Sequence, residues 1–442
     1  MEEIPKVRPK YKGGVSKKTE NPEWQQSIVK RVCKDIDITD KTLVLDAIGT
    51  YMAHHQGRKL NRRKDIKELY KTYKTNDAIA DELIRRIRAR DLDLDPVRVV
   101  VKLDGSNGKE RIIGLEGVWQ QLFDQIATDG LKPLTKRIGE YQCTCLKNQP
   151  KRIYHKTTHE YLRTEMIGRG QVWAKDAAYG WMHEDDTRYI VQMDIRKNYA
   201  SVDQTKLMEF LRKHVRNEPL LWLVQELLKT VPGGNGLIIG SVLSITLDAL
   251  YISQLYHHLM EDTVRYRKHK NGSAERIRLV KHLLIWMDDI NIFTASEKNA
   301  KMAANECIRY CKELGLEIKP GWKIIKKNDP RICPRNYVDI VGYKVYPDRV
   351  TMRRKDYINM RRAFKHARKR MDLKTAYRII SYKGFLINCD SYRFRKKYGT
   401  KKLLRKARRL ISKHDKSTVH SKTARNKVHR DRRHDVRTDM PS

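Results

Sequence analysis

The stretch that most restricts the fold is HLLIWMDDINIF (His282 to Phe293), in which apolar runs flank an adjacent pair of aspartates. The apolar runs read as two strands, and the polar pair between them marks a tight turn joining them. A second short run, YIVQMD (Tyr189 to Asp194), is also apolar and also ends on a carboxylate. If the three segments pair, Asp194, Asp288 and Asp289 gather at one end of a sheet. Taken singly, an aspartate at a strand end is most often a turn residue, and Asp-Asp between strands is commonly a hairpin turn. The ordered combination points elsewhere, because like charges crowded together are costly unless a cation neutralises them. Hard divalent ions such as Mg²⁺ prefer carboxylate oxygens. Two of them about 4 Å apart lower the pKa of an attacking hydroxyl and stabilise leaving oxygens, as nucleotidyl transfer requires.

The charge of the chain indicates its class of partner. Its 442 residues carry 94 Lys and Arg against 53 Asp and Glu, a formal +41 spread over most of the length. Such an excess repels itself in a compact state unless a polyanion is at hand. Nucleic acid is the expected partner, bound more weakly as salt rises. A solubilising surface or a ribosome-associated protein is the plainer explanation of charge alone. Seven cysteines without regular spacing argue against a disulfide framework and read as structural thiols in a reducing cytoplasm. No apolar leader follows the N-terminus and no run of about 18 apolar residues occurs. A cytoplasmic protein with no membrane partner is therefore expected.

At this length two or three lobes are expected. Residues 1–92 read as a basic lead-in followed, from Trp24 to Leu92, by a helical region. Within it NDAIADELIRRIRAR (Asn76 to Arg90) spaces Ile79, Leu83 and Ile87 along one stripe. RVVVKLDGSNGKERIIG (Arg98 to Gly114) alternates around Asp104, Gly105 and Gly108 as a hairpin does. Helical patterning resumes from Leu115 to Leu134. Between the acidic strands the pattern is mostly helical, including Ser241 to Met260, with a Gly-rich break at Pro232 to Gly236. Ser296 to Leu314 reads as an amphipathic helix and Val338 to Tyr346 as another strand. Arg353 to Arg370 interleaves Tyr357, Met360 and Phe364 with cations at helical spacing, so that one face packs while the other grips phosphates of an A-like duplex. From Lys413 the chain is polar and basic, and is expected to stay disordered until it meets a polyanion.

WMDD (Trp286 to Asp289) resembles the reverse-transcriptase box usually written YMDD or YVDD, with Trp286 in place of Tyr. MDIRKNYASVD (Met193 to Asp203) resembles the first catalytic box of bacterial, single-chain reverse transcriptases. The resemblance implies an α+β, right-hand polymerase. Its fingers would occupy 93–180, its palm, an antiparallel sheet with helices on one face, 181–347, and its helical thumb 348–412. A helical extension over 1–92 and a basic tail over 413–442 would complete the chain. It also implies two Mg²⁺ ions, with Mn²⁺ as a substitute, held by Asp194, Asp288, Asp289 and the backbone carbonyl of Ile195. Tyr199, five residues past Asp194, would be the steric gate against a ribose 2′-OH. GKERIIG (Gly108 to Gly114) resembles the fingers box, which gives Lys109 and Arg111 the triphosphate. GRGQVWAK (Gly168 to Lys175) implies template contacts at Arg169 and Gln171, and GLIIGSVLS (Gly236 to Ser244) a close backbone approach to the nucleotide at Gly240. LGLEIKPGW (Leu314 to Trp322) resembles a palm helix-loop, VDIVGYKVY (Val338 to Tyr346) the primer-grip hairpin with Gly342 and Tyr343, and SYKGFLINCDSY (Ser381 to Tyr392) thumb sequence. Arg353, Arg354, Arg361 and Arg362 would meet template or primer.

The expected reaction is synthesis of a DNA product from dNTPs on an RNA template. The chain departs from the pattern in two places. Ile239 stands before Gly240, where retroviral enzymes carry Gln, and Ile245 follows Ser244, where bacterial relatives often carry Gln. Losing those amides bears on fidelity and template choice. The short stretch after residue 400 leaves no room for a ribonuclease H or HNH nuclease domain, so the expectation leans to a prophage or antiviral-defence enzyme with a cognate non-coding RNA. A diversity-generating retroelement or retron enzyme, an RNA-dependent RNA polymerase, and a non-catalytic RNA-binding scaffold of polymerase-like fold are the alternatives. A homo-oligomer or an accessory protein is left open.

Overall fold

The computed structural model describes residues 31–54, 63–103, 110–143, 152–155, 160–163, 170–328 and 336–414. At its centre lies a five-stranded sheet in the order Lys323–Lys326, Tyr189–Asp194, Asp289–Thr294, His282–Trp286, Gln142–Cys143. The first four strands run antiparallel to their neighbours, and Gln142–Cys143 joins the edge in parallel. Alternate residues of the acidic strands enter two different cores. Val191, Leu283, Ile285, Ile290 and Ile292 face a large core shared with the helices Val242–His257 and Glu297–Glu313. Ile190, Leu284 and Phe293 face a smaller one built with the helix Gln171–His183 and a three-stranded sheet. All eight of these residues are fully buried. Burial on both faces is why the strands read as unbroken apolar runs, and each such side chain contributes about 1.5–3 kcal/mol.

The N-terminal helices Lys41–His54, Lys64–Tyr73 and Asn76–Ala89 pack into the same large core as the sheet. Ile79, Leu83 and Ile87 are buried along the expected stripe. Thr75 caps that helix by accepting from the Ala78 amide, and Arg90 ends it in the left-handed conformation. The helical reading from Trp24 does not hold over 31–40, and the residues before 31 lie outside the described ones. There Val32 bridges to Val215, Asp37 accepts from the Thr39 amide, and Asp40 accepts from the Leu43 amide where the first helix begins. Local side-chain to backbone bonds of this kind compete with helix.

The hairpin Arg98–Leu103 with Glu110–Leu115 forms as expected, with Val101 opposite Ile112. Its tip, with the Asp104, Gly105 and Gly108 used to infer it, lies outside the described residues. A second hairpin, Val264–Lys268 with Ala274–Arg278, was not anticipated. Its alternate positions are charged rather than apolar, so it lacks the usual strand signal. Val338 to Tyr346, one strand by its patterning and a hairpin by the resemblance, is a hairpin of two strands, Val338–Ile340 and Tyr343–Val345, reversed at Val341 and Gly342 with φ of 44° and 90°. Two adjacent positive φ values define the tight hairpin turn that Gly accepts readily. Past residue 353 the helices Arg354–Lys369, Leu373–Ser381, Lys383–Asn388 and Tyr392–Tyr398, with a further helix over 400–414, enclose a separate core around Met360, Phe364, Ile379 and Leu386. No described helix is long and apolar enough to cross a membrane. Cys33, Cys307 and Cys311 are buried free thiols.

Gly139 marks a tight approach just before the edge strand Gln142–Cys143. A Cβ there would lie 2.1 Å from the buried ring of Tyr256, whose hydroxyl accepts from the Tyr141 amide. Gly139→Ala is expected to cost about 1–3 kcal/mol of overpacking. Urea denaturation with an unchanged slope would confirm it, and an unchanged midpoint would show that the ring moves freely.

Candidate active site

Strand register alone brings the predicted carboxylates together. Asp289 pairs across the sheet with Asp194 and, on its other side, with Trp286. The Ile195 amide donates to the Asp288 carbonyl at 2.9 Å, and the Lys319 amide to the Asp194 carbonyl at 2.8 Å. The turn between the two strands places Met287 at φ 54°, a left-handed conformation that a non-glycine residue rarely adopts. Such strain costs on the order of 1–3 kcal/mol and collects at functional sites.

The charges at this turn are poorly compensated. Burial, with Asp288 and Asp194 alongside, pushes the Asp289 carboxyl up to about 7. Burial and then Asp194 raise Asp288 as well, while Lys319 and Arg111 pull it down. The Lys319 ammonium donates directly to Asp194 Oδ1. A cleft of about 250 Å³ opens here, lined by Asp194, Asp289, Asn291, Lys319, Trp322 and Asp339. Hard oxygen donors raised by burial and by mutual repulsion suit divalent cations. Among the described residues no three side chains already converge as metal ligands, and a lysine neutralises Asp194 instead.

A pH-dependent metal response follows from this. The Asp289 carboxyl titrates ordinarily at 3.8 and in the folded chain at about 7. Between those values the folded state keeps a proton that the unfolded state has lost, so metal-free stability falls as pH rises through that window. Mg²⁺ needs the carboxylates ionised, so its stabilising effect grows over the same range. Thermal melts with and without MgCl₂ at pH 6 and pH 8 check this, and an equal shift at both would contradict it.

Around the carboxylates, three backbone segments lock together. Tyr199 lies half-buried in the short helix Asn198–Ser201, and its carbonyl accepts from the Leu237 amide at 2.7 Å. Gly236, at φ 76°, leaves only 3.0 Å between its Cβ position and the Tyr199 carbonyl oxygen. Gly240, at φ 119°, lies against the base of the first hairpin, where the Gly114 amide donates to the Ile239 carbonyl at 3.0 Å. That hairpin carries Arg111, whose charge reaches Asp288.

Two buried carboxylates support this frame. Asp248, inside Val242–His257, accepts from Asn198 Nδ2 at 2.7 Å, and burial pushes it up to about 7. Asp124 accepts from the Ser241 hydroxyl, which itself caps that helix by accepting from the Ser244 amide at 3.1 Å. Burial, and then Glu116, hold Asp124 well above the ordinary range. Sequence reasoning missed Lys319, Asn198, Asp248 and Asp124. The available signal was one carboxylate within an otherwise apolar helical run, as in SITLDALYIS.

The remaining expected contacts are scattered. Lys109 and Arg169 lie outside the described residues. Gln171 is exposed in the first turn of Gln171–His183. Ile195 is fully buried. The Gly342 Cβ position lies 3.3 Å from the Phe385 ring, and the Tyr343 side chain is buried against that same ring. Arg353 pairs with Asp339 at 2.6 Å, whereas Arg354, Arg361 and Arg362 are exposed along one helix.

A family model described as reverse transcriptase (RNA-dependent DNA polymerase) matches residues 103–323, a span that contains both acidic strands. Comparison with curated proteins finds no match.

Proposed function

Because the chain belongs to the reverse transcriptase family of RNA-directed DNA polymerases, we propose that it copies RNA into DNA from dNTPs by two-metal nucleotidyl transfer at Asp194, Asp288 and Asp289. The cross-strand pairing of Asp289 with Asp194 is the observation that carries this reading. The Mg²⁺ pair that these carboxylates and the Ile195 carbonyl would hold, with Mn²⁺ as a substitute, supplies hydroxyl activation and charge for the leaving oxygens. Lys319 balances Asp194 in the metal-free protein. Arg111 and Lys109 bind the triphosphate, Gly240 admits the nucleotide close to the backbone, and Tyr199 faces its sugar.

On this reading residues 93–180 are fingers, 181–347 palm and 348–412 thumb, flanked by an extension over 1–92 and a tail over 413–442. Arg169, Gln171, Gly342, Tyr343 and Arg353 serve the template and primer, with Arg354, Arg361 and Arg362 along the duplex backbone. The cytoplasm is the proposed compartment. The proposed setting is a prophage or antiviral-defence system with a cognate non-coding RNA as template. Extension of a DNA primer on an RNA template with labelled dNTPs tests the activity. Metal-dependent incorporation supports it. A preference for rNTPs would favour an RNA polymerase instead, and tight RNA binding without incorporation under Mg²⁺ or Mn²⁺ would favour the scaffold.

A further inference from the structure

The unanticipated hairpin, Val264–Lys268 with Ala274–Arg278, has no part in the chemistry above. Its residues from 264 to 278 include Arg265, Arg267, Lys268, Lys270, Arg276 and Arg278 against the single acid Glu275. Register sorts its side chains by face. Tyr266 stands opposite Arg276, Val264 opposite Arg278 and Lys268 opposite Ala274, which puts Tyr266, Lys268, Arg276 and Arg278 on one side. On the other side Arg265 and Ile277 pair and are partly buried. The first side faces solvent, with Tyr266 67% exposed. Among the described residues, Arg267, Lys268, Lys270 and Arg278 have no carboxylate partner, and the buried Arg265 Nε lacks a hydrogen-bond partner. Arg276 Nη2 donates to the Glu261 carbonyl at 2.9 Å, which anchors its guanidinium on the side that carries Tyr266.

The hairpin is held firmly and far from the cleft. Leu279 and Val280 are buried at its base, and the Leu279 amide donates to the Thr263 carbonyl at 3.1 Å. The helix Val242–His257 starts beside Gly240 and leads away from it to the hairpin. At a rise of 1.5 Å per residue, that helix separates the hairpin from the catalytic end by roughly 25 Å. Lysines on an exposed edge serve to prevent strand-to-strand association, which accounts for the charges but not for a large aromatic ring at their centre. Aromatic rings interleaved with cations stack bases while the cations track the backbone.

We propose that the outer face of this hairpin binds a single strand of nucleic acid outside the polymerase cleft, with Tyr266 stacking on a base and Lys268, Arg276 and Arg278 holding the flanking phosphates. A duplex hides its base faces, so stacking selects a single strand. This site stands on its own charge and geometry and does not require the polymerase reading.

Photo-crosslinking of the full-length protein with a 4-thiouridine-substituted oligouridylate, followed by mass spectrometry of the labelled peptides, tests it. A crosslink is expected within residues 264–278. Its yield at half-saturating RNA is expected to fall about tenfold in Tyr266→Ala and to be kept in Tyr266→Phe. Replacing Lys268, Arg276 and Arg278 together by Gln is expected to flatten the salt dependence of labelling. A parallel oligothymidylate carrying 4-thiothymidine assigns the strand to RNA or DNA according to which is labelled. Absence of label in 264–278, equal label in Tyr266→Ala, or displacement by duplex RNA as effective as by single strand would each overturn the site. Primer extension on a short template is expected to be unchanged in Tyr266→Ala, so failure at the hairpin and failure of the polymerase reading are separable.

Discussion

Asp289→Asn is expected to reduce nucleotide incorporation by roughly a thousandfold or more while leaving the fold intact. A metal-held carboxylate supplies several kcal/mol of transition-state stabilisation, and the isosteric amide keeps the shape but loses the charge. The position is fixed by pairing with Asp194 and Trp286, not by the side chain itself. Because burial and neighbouring carboxylates raise Asp289, removing its charge relieves repulsion. The variant should therefore be more stable than the metal-free wild type at pH 8, by about 1–2 kcal/mol once solvent screening in the open cleft is allowed for. Loss of activity together with a gain in melting temperature is a pattern that misfolding does not produce. Incorporation at the wild-type rate would remove Asp289 from the site.

The second large effect concerns the sugar. Tyr199→Ala is expected to lower the preference for dNTPs over rNTPs by about 10- to 100-fold, measured as the ratio of kcat/KM for dTTP and UTP, since filling or emptying a pocket by a few atoms discriminates on this scale. The Tyr199 carbonyl accepts from the Leu237 amide and the Asn198 side chain donates to Asp248, and both bonds are kept when the Tyr199 side chain is truncated. Truncation should thus change the space near the sugar without moving the turn. Tyr199→Phe keeps that volume and is expected to stay selective. If Tyr199→Ala remains as strict as the wild type, discrimination lies elsewhere.

Much of the catalytic frame was legible because its signals are local. Apolar runs interrupted by aspartates can satisfy burial in few ways, so HLLIWMDDINIF specified the hairpin. The stripe of Ile79, Leu83 and Ile87 was readable for the same reason. The Val264–Arg278 hairpin was not, since its alternation is between charge and charge. Tyr343, expected at a primer contact, has its ring buried against Phe385, a partner far along the chain.

The linear order of residues determined which carboxylates exist, which strands carry them, and that the chain would seek a polyanion. Those are properties of periodicity and charge, which need no partner in space. The tertiary structure decided what surrounds the carboxylates: Lys319 on Asp194, Asp248 beneath Asn198, Asp124 beneath Ser241. Each of those pairs joins segments distant in sequence. Electrostatic energy in a partly buried cleft depends on separations of a few ångströms, which only packing sets.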